Sequence, residues 1–181
     1  MRFILFLCLC LAMVSCNTYK TEPDLNPPTD TDIEGFYTIN SGSFMFKYKS
    51  VENQILECKL SGNTSGWLAI GFDPTELMKD ANFIIGFVTD GIAVIRDDFG
   101  TTPYTHEPDT SLGGTDDVTL LTSSETSGTT SLHFQIPLNS GDSKDRILSL
   151  GNSYKVILAS GSEDDFSSNH TQTATAYIAI R

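Results

Sequence analysis

Apolar side chains in this chain recur at every second position, and that period limits the fold more than any other feature. Phe44, Phe46 and Tyr48 share one side of a segment whose other side carries Lys47 and Lys49. Leu56, Cys58 and Leu60 repeat the pattern, and so do Leu68, Ile70 and Phe72. A period of two belongs to strands with one buried face, not to helices. Further runs of this kind predict strands near 82–88, 91–97, 117–122, 130–136, 153–159 and 172–180. Turn signals separate them. Thr89-Asp90-Gly91 and Thr126-Ser127-Gly128 read as tight hairpins, and Asn139-Ser140-Gly141-Asp142 reads as a loop. About ten short strands without a long helix describe an all-β, antiparallel, immunoglobulin-like sandwich. The stretch from Asp98 to Asp116, with Pro103 and Pro108, reads as a long loop that covers or lines something.

Three segments divide the chain. Arg2 precedes an apolar run from Phe3 to Val14 that is too short to span a bilayer, so residues 1–15 read as a signal peptide. Met13-Val14-Ser15-Cys16 resembles a bacterial lipobox, which makes Cys16 the lipidated first residue of the mature protein. An ordinary signal peptide cut nearby is the alternative, and either way the protein is exported. Residues 16–34, with Pro23, Pro27, Pro28 and several acids, read as a tether, and residues 35–181 as the folded domain. Cys8 and Cys10 fall in the leader, which leaves Cys58 as a buried small hydrophobe without a disulfide partner.

A formal net charge of −12 argues against binding nucleic acid and against an electrostatic hold on anionic lipid. Contact with a membrane is then through the lipid anchor only. The chain contains no Gly-x-Ser-x-Gly, no phosphate-cradling loop and no His-x-x-x-His, and no catalytic residue stands out. The chain reads as a binding protein, not an enzyme. The acid pairs at 97 and 98, 116 and 117, and 164 and 165 offer oxygen ligands of the calcium type, although solvated loops explain them equally well.

Residues 66–88 hold two apolar runs around a polar turn with Met78 at its tip. Asp73 as cap, Pro74 in the first position and Glu76 three residues after the cap predict one helical turn over 74–79. Such a turn can aim Met78 at a ligand, whereas a lone methionine more commonly fills a core gap. His170 follows a polar loop and precedes the final strand, His133 falls on an outer strand face, and His106 sits in the long loop as a weaker ligand candidate.

Gly66-Trp67, Ile70-Gly71-Phe72, Met78, Ala81, Asp97-Asp98, Pro108-Asp109, Glu125 with Gly128 and Thr129, Pro137-Leu138, Asp142, Asp145, Ala159 and His170 resemble the DOMON domain in order and spacing. The resemblance implies a β-sandwich. It also implies, by analogy with the cytochrome members of the family, a haem b held between Met78 and His170 as metal ligands. Asn82 stands where an acid is common, and Gln135 or Ile136 near where an arginine often precedes Pro-Leu. No Cys-x-x-Cys-His occurs, so the haem would be held non-covalently. Trp67, Phe72, Phe83, Phe87, Tyr104 and Phe166 are candidates for its apolar walls. The implied role is electron transfer with an unidentified redox protein in the cell envelope. The alternatives are a carbohydrate-binding or adhesive surface module, or a metal-binding structural lipoprotein.

Overall fold

A computed structural model describes residues 26–181. The signal peptide, Cys16 and the start of the tether lie outside the described residues. Two antiparallel sheets face each other. One contains β1 (Tyr37–Ser41), β2 (Phe44–Val51), β3 (Ile55–Gly62), β8 (Thr119–Thr126) and β9 (Thr129–Pro137), in the order β1-β2-β3-β9-β8. The other contains β4 (Leu68–Phe72), β5 (Asn82–Thr89), β6 (Ile92–Thr102), β7 (Thr105–Pro108), β10 (Ser153–Ser160) and β11 (Gln172–Ala179), in the order β11-β10-β4-β5-β6-β7. A short 3-10 helix, Asp109–Leu112, follows β7.

Register lines up the alternating residues into rows. Phe46 pairs with Leu60 and Leu60 with Leu132, while Tyr48 pairs with Cys58 and Cys58 with Phe134. Opposite them, Leu158 pairs with Ile70 and Ile70 with Ile84. These rows meet between the sheets in one apolar core, where Cys58 is buried with a free thiol. The outer face of the five-stranded sheet carries the charges: Lys59 pairs with His133, and His133 Nε2 lies 2.8 Å from Glu57.

The six-stranded sheet differs because its central strands, β4 and β5, are buried on both faces. Every residue of β4 is buried, as is all of β5 up to Val88. Its inner side chains join the core, and its outer side chains, Trp67, Ala69, Ile85 and Phe87, form a second apolar cluster. A sheet covered on both faces needs something on the outside.

Four expectations are revised. The first half of the long loop from Asp98 is strand: β6 runs on to Thr102 and turns at Pro103-Tyr104 into β7, so His106 lies on a strand. The β-branched Thr101, Thr102 and Thr105 supply the strand preference that the two prolines obscured. The helical turn over 74–79 is a β-turn, with Lys79 N–H donating to Glu76 O at 2.8 Å and Leu77 at φ 51°. Asp73 caps no helix; its carboxylate accepts from Arg146 Nη2 at 2.6 Å. The tether, too, is joined to the sandwich before residue 35: Thr31 bridges Tyr37, and Asp32 and Glu34 pair with Lys47 and Lys59.

Candidate functional site

A cavity of about 970 Å³ opens on the outer face of the six-stranded sheet. Strand alternation builds its floor. Trp67 and Ala69 of the β4 segment, Phe83 and Ile85 of β5, and Ile157 and Ala159 of β10 all point outward to line it. Gly71 permits this floor, since a Cβ there would stand within 2.9 Å of three ring carbons of Phe83.

Two structures form the walls. The loop from Gly161 to His170 is pinned over the floor: Trp67 Nε1 donates to Ser168 Oγ at 2.9 Å, and Trp67 N–H donates to Glu163 O at 3.0 Å. Asp165 Oδ1 holds the loop's own bend by accepting from Ser167 N–H and Ser168 N–H. The bend sets Phe166 against Phe87, with ring centroids 5.0 Å apart. The other wall is the Met78 turn clasped to the β6–β7 hairpin. Met78 N–H donates to Pro103 O at 3.3 Å, and Asp80 N–H donates to Gly100 O at 2.7 Å. A side chain at residue 100 would collide with the Met78 carbonyl, so Gly100 is required for this close approach.

Met78 and His170 therefore stand on two different walls and line the same cavity. Met78 is half-buried, and His170 is exposed. Hydrogen bonds recorded among the described residues do not engage the His170 imidazole. His106 also lines the cavity, but its Nδ1 lies 2.5 Å from Asp98 Oδ2. Arg96 grips the same carboxylate through Nε and Nη2, at 2.5 and 2.6 Å, and its guanidinium stacks 4.1 Å from the Phe166 ring centroid. Burial pushes the Asp98 carboxyl up, but the hydrogen bonds from His106 and Arg96 outweigh it and hold the group below the usual carboxylate range.

Of the predicted wall residues, Trp67, Phe83, Tyr104 and Phe166 line the cavity, and Phe87 packs beneath Phe166. Tyr104 sits at the hairpin tip and is 79% exposed. Phe72 does not take part. It is fully buried between the sheets and meets Phe46 edge-on, because alternation from Trp67 sends residues 68, 70 and 72 inward. Sequence reasoning missed Arg96 and Lys155; Arg96 sits two positions before Asp98, the spacing that puts them on one strand face.

The DOMON domain matches residues 40–161, which cover β2 to β10 entirely. The chain belongs to the DOMON family. Two solved structures share the fold of this DOMON protein. The cytochrome domain of Myriococcum thermophilum cellobiose dehydrogenase superposes with a TM-score of 0.63 at 16% identity, over 88% of this chain and 90% of that one. The cytochrome b domain of pyranose dehydrogenase from Coprinopsis cinerea superposes with a TM-score of 0.59 at 14% identity, over 78% of this chain and 80% of that one. A comparison with curated proteins returns no match.

Proposed function

We propose that the outer cavity holds a non-covalent haem b, that the Met78 thioether and the His170 imidazole would ligate its iron, and that the protein transfers single electrons. One observation carries this reading: a soft sulfur donor and an imidazole free of other partners line one largely apolar cavity, on two different walls. Its volume of about 970 Å³ suits a large flat cofactor, near the upper end of the ~300–1,000 Å³ usual for small-molecule and cofactor sites. The cytochrome names of two proteins sharing the fold add support.

Bound haem would supply a one-electron couple. Met78 and His170 would hold its iron, and a thioether ligand would raise the potential. Trp67, Phe83, Ile85 and Phe166 line the cavity and would exclude water from the bound group. Asp98 keeps His106 and Arg96 engaged at the cavity wall, so His170 is the imidazole at liberty to bind iron. Purified protein given haem should show a Soret band that shifts on reduction, and Met78→Ala and His170→Ala should each abolish the low-spin spectrum. Failure to take up haem would overturn the reading.

The redox partner would be an envelope protein, reached from a lipid anchor on Cys16. Loss of radiolabelled palmitate incorporation in Cys16→Ala tests the anchor. One observation favours a second reading as a carbohydrate-binding module: the exposed ring of Tyr104 stands at the cavity mouth, where a sugar face could stack. A glycan array that binds wild type and not Tyr104→Ala would favour it.

A further inference from the structure

Adjacent aspartates on β6 point to opposite faces of the sheet. Asp98 pairs with Phe83 on the cavity side, whereas Asp97 pairs with Ile84 on the side that meets the other sheet. There, at the rim of the sandwich, Asp97 is 1% exposed, and Asn82, two residues before its register partner Ile84 on β5, is 4% exposed. Asp117, just before β8, and Asp145, in the connection from β9 to β10, come to the same place. One carboxylate oxygen from each of Asp97, Asp117 and Asp145 lies within 4.8 Å of the others.

Three carboxylates at that separation need a counter-charge, and the protein supplies none in contact. Among the described residues, none of the ion pairs involves Asp97, Asp109, Asp117 or Asp145. The nearby Lys144 places its ammonium over the Phe99 ring, 5.3 Å from the centroid. Buried oxygens are also left without partners. Asn82 Oδ1, Asp97 Oδ1 and both carboxylate oxygens of Asp109, itself fully buried beside the cluster, accept no hydrogen bond. An unpaired buried polar atom is costly, and an uncompensated buried charge more so. Asn82 adjoins the acidic cluster, and its position is fixed: Nδ2 donates to Asp145 Oδ1 at 2.5 Å, leaving the amide carbonyl spare. Asp117 N–H donates to Asp97 Oδ2 at 3.2 Å, which leaves Asp97 Oδ1 spare as well.

We propose that Asp97, Asp117 and Asp145, with the side-chain carbonyl of Asn82, bind a calcium-class divalent cation that clips the two sheets together at this rim. The donors are all oxygen, with neither sulfur nor imidazole, which selects a hard cation over zinc or copper. They come from four separate segments, with the loop-borne Asp145 among them, and such a set suits the variable coordination of calcium better than the rigid octahedron of magnesium. Half-burial of Asp117 and Asp145 leaves the ion a way in from solvent. The cation would join β5 and β6 of one sheet to the lead-in of β8 in the other. This site is separate from the cavity, and it stands whether or not haem binds there.

The test is calorimetric titration of CaCl2 into the chelator-treated, desalted full domain, paired with thermal unfolding. One calcium should bind per chain and raise Tm, with a response to MgCl2 at least tenfold weaker in affinity. Asp117→Asn and Asp145→Asn should each weaken calcium binding at least tenfold, yet match or exceed wild-type Tm in chelator, because each relieves repulsion. Asp90→Asn, on the β5–β6 hairpin turn, should bind calcium as wild type does. Absence of a calcium effect on wild type, an equal response to magnesium, or an undiminished response in both site variants would overturn the proposal.

Discussion

Asp97 and Asp98 are one peptide bond apart, and they live under opposite electrostatics. Asp98 has a guanidinium on two of its lone pairs and an imidazole on a third, so its charge is compensated where it is buried. Asp97 meets two other carboxylates and keeps one oxygen unpaired. Strand alternation alone makes the difference, by sending one side chain to the cavity face and the next to the rim of the core. The same division runs along the whole six-stranded sheet. Its inner face packs against another sheet, and its outer face is apolar but covered only by a loop and a hairpin.

The largest expected effect contrasts the two faces directly. Phe72→Ala should destabilise the fold by about 3–5 kcal/mol, as for an enclosed core aromatic. Phe83→Ala should cost about 2 kcal/mol, since its site opens to the cavity and loses the transfer contribution without a sealed void. Denaturant unfolding of both variants checks the ordering, and equal losses would erase the distinction. Next, Asp98→Asn should cost about 3 kcal/mol by leaving Arg96 without its bidentate partner. Asp97→Asn in chelator should be neutral or raise Tm, the opposite sign from its neighbour.

Acidity sharpens the contrast further. Asp98 has a folded-state pKa below its unfolded value, so its contribution is present above the ordinary carboxylate range and is lost as pH falls. The rim carboxylates run the other way. Burial, then the negative charges around them, push Asp97 up to about 9, Asp109 to about 7 and Asp145 to about 6. Each binds its proton more tightly when folded, so stability is full at low pH and declines as pH rises through those values. Chelator-treated protein should therefore lose Tm as pH rises from the ordinary carboxylate range to about 9, and Asp97→Asn should flatten that slope. The smallest effect concerns the cavity cover. Trp67→Phe removes the bond to Ser168, which should cost about 1 kcal/mol and speed amide exchange in residues 161–170.

Alternation made most of the strands legible, because burial on one face writes itself into the sequence at every second position. The hairpin turns at Asp90-Gly91 and Ser127-Gly128 were equally plain, since each needs φ above zero and the residues supply it. Met78 stood out at the tip of its turn, but its pairing with His170 came through resemblance to a family and not through any period, and the fold then set both against one cavity. What stayed hidden has physical causes. Pro103 and Pro108 masked β7, because proline is tolerated on an edge strand that sends no hydrogen bond outward. Phe72 was misassigned to the ligand because aromatic character says nothing of which strand face carries it. The rim cluster joins residues 82, 97, 117 and 145, and no local pattern can reveal a meeting that only the packing of two sheets creates.

The clasp between Met78 and the β6–β7 hairpin carries a mechanical consequence. With Met78 N–H on Pro103 and Asp80 N–H on Gly100, the sulfur-bearing turn and the exposed ring of Tyr104 form one lever. A molecule that docks against that ring would push on the Met78 turn, so contact at the surface would reach the cavity wall through backbone alone.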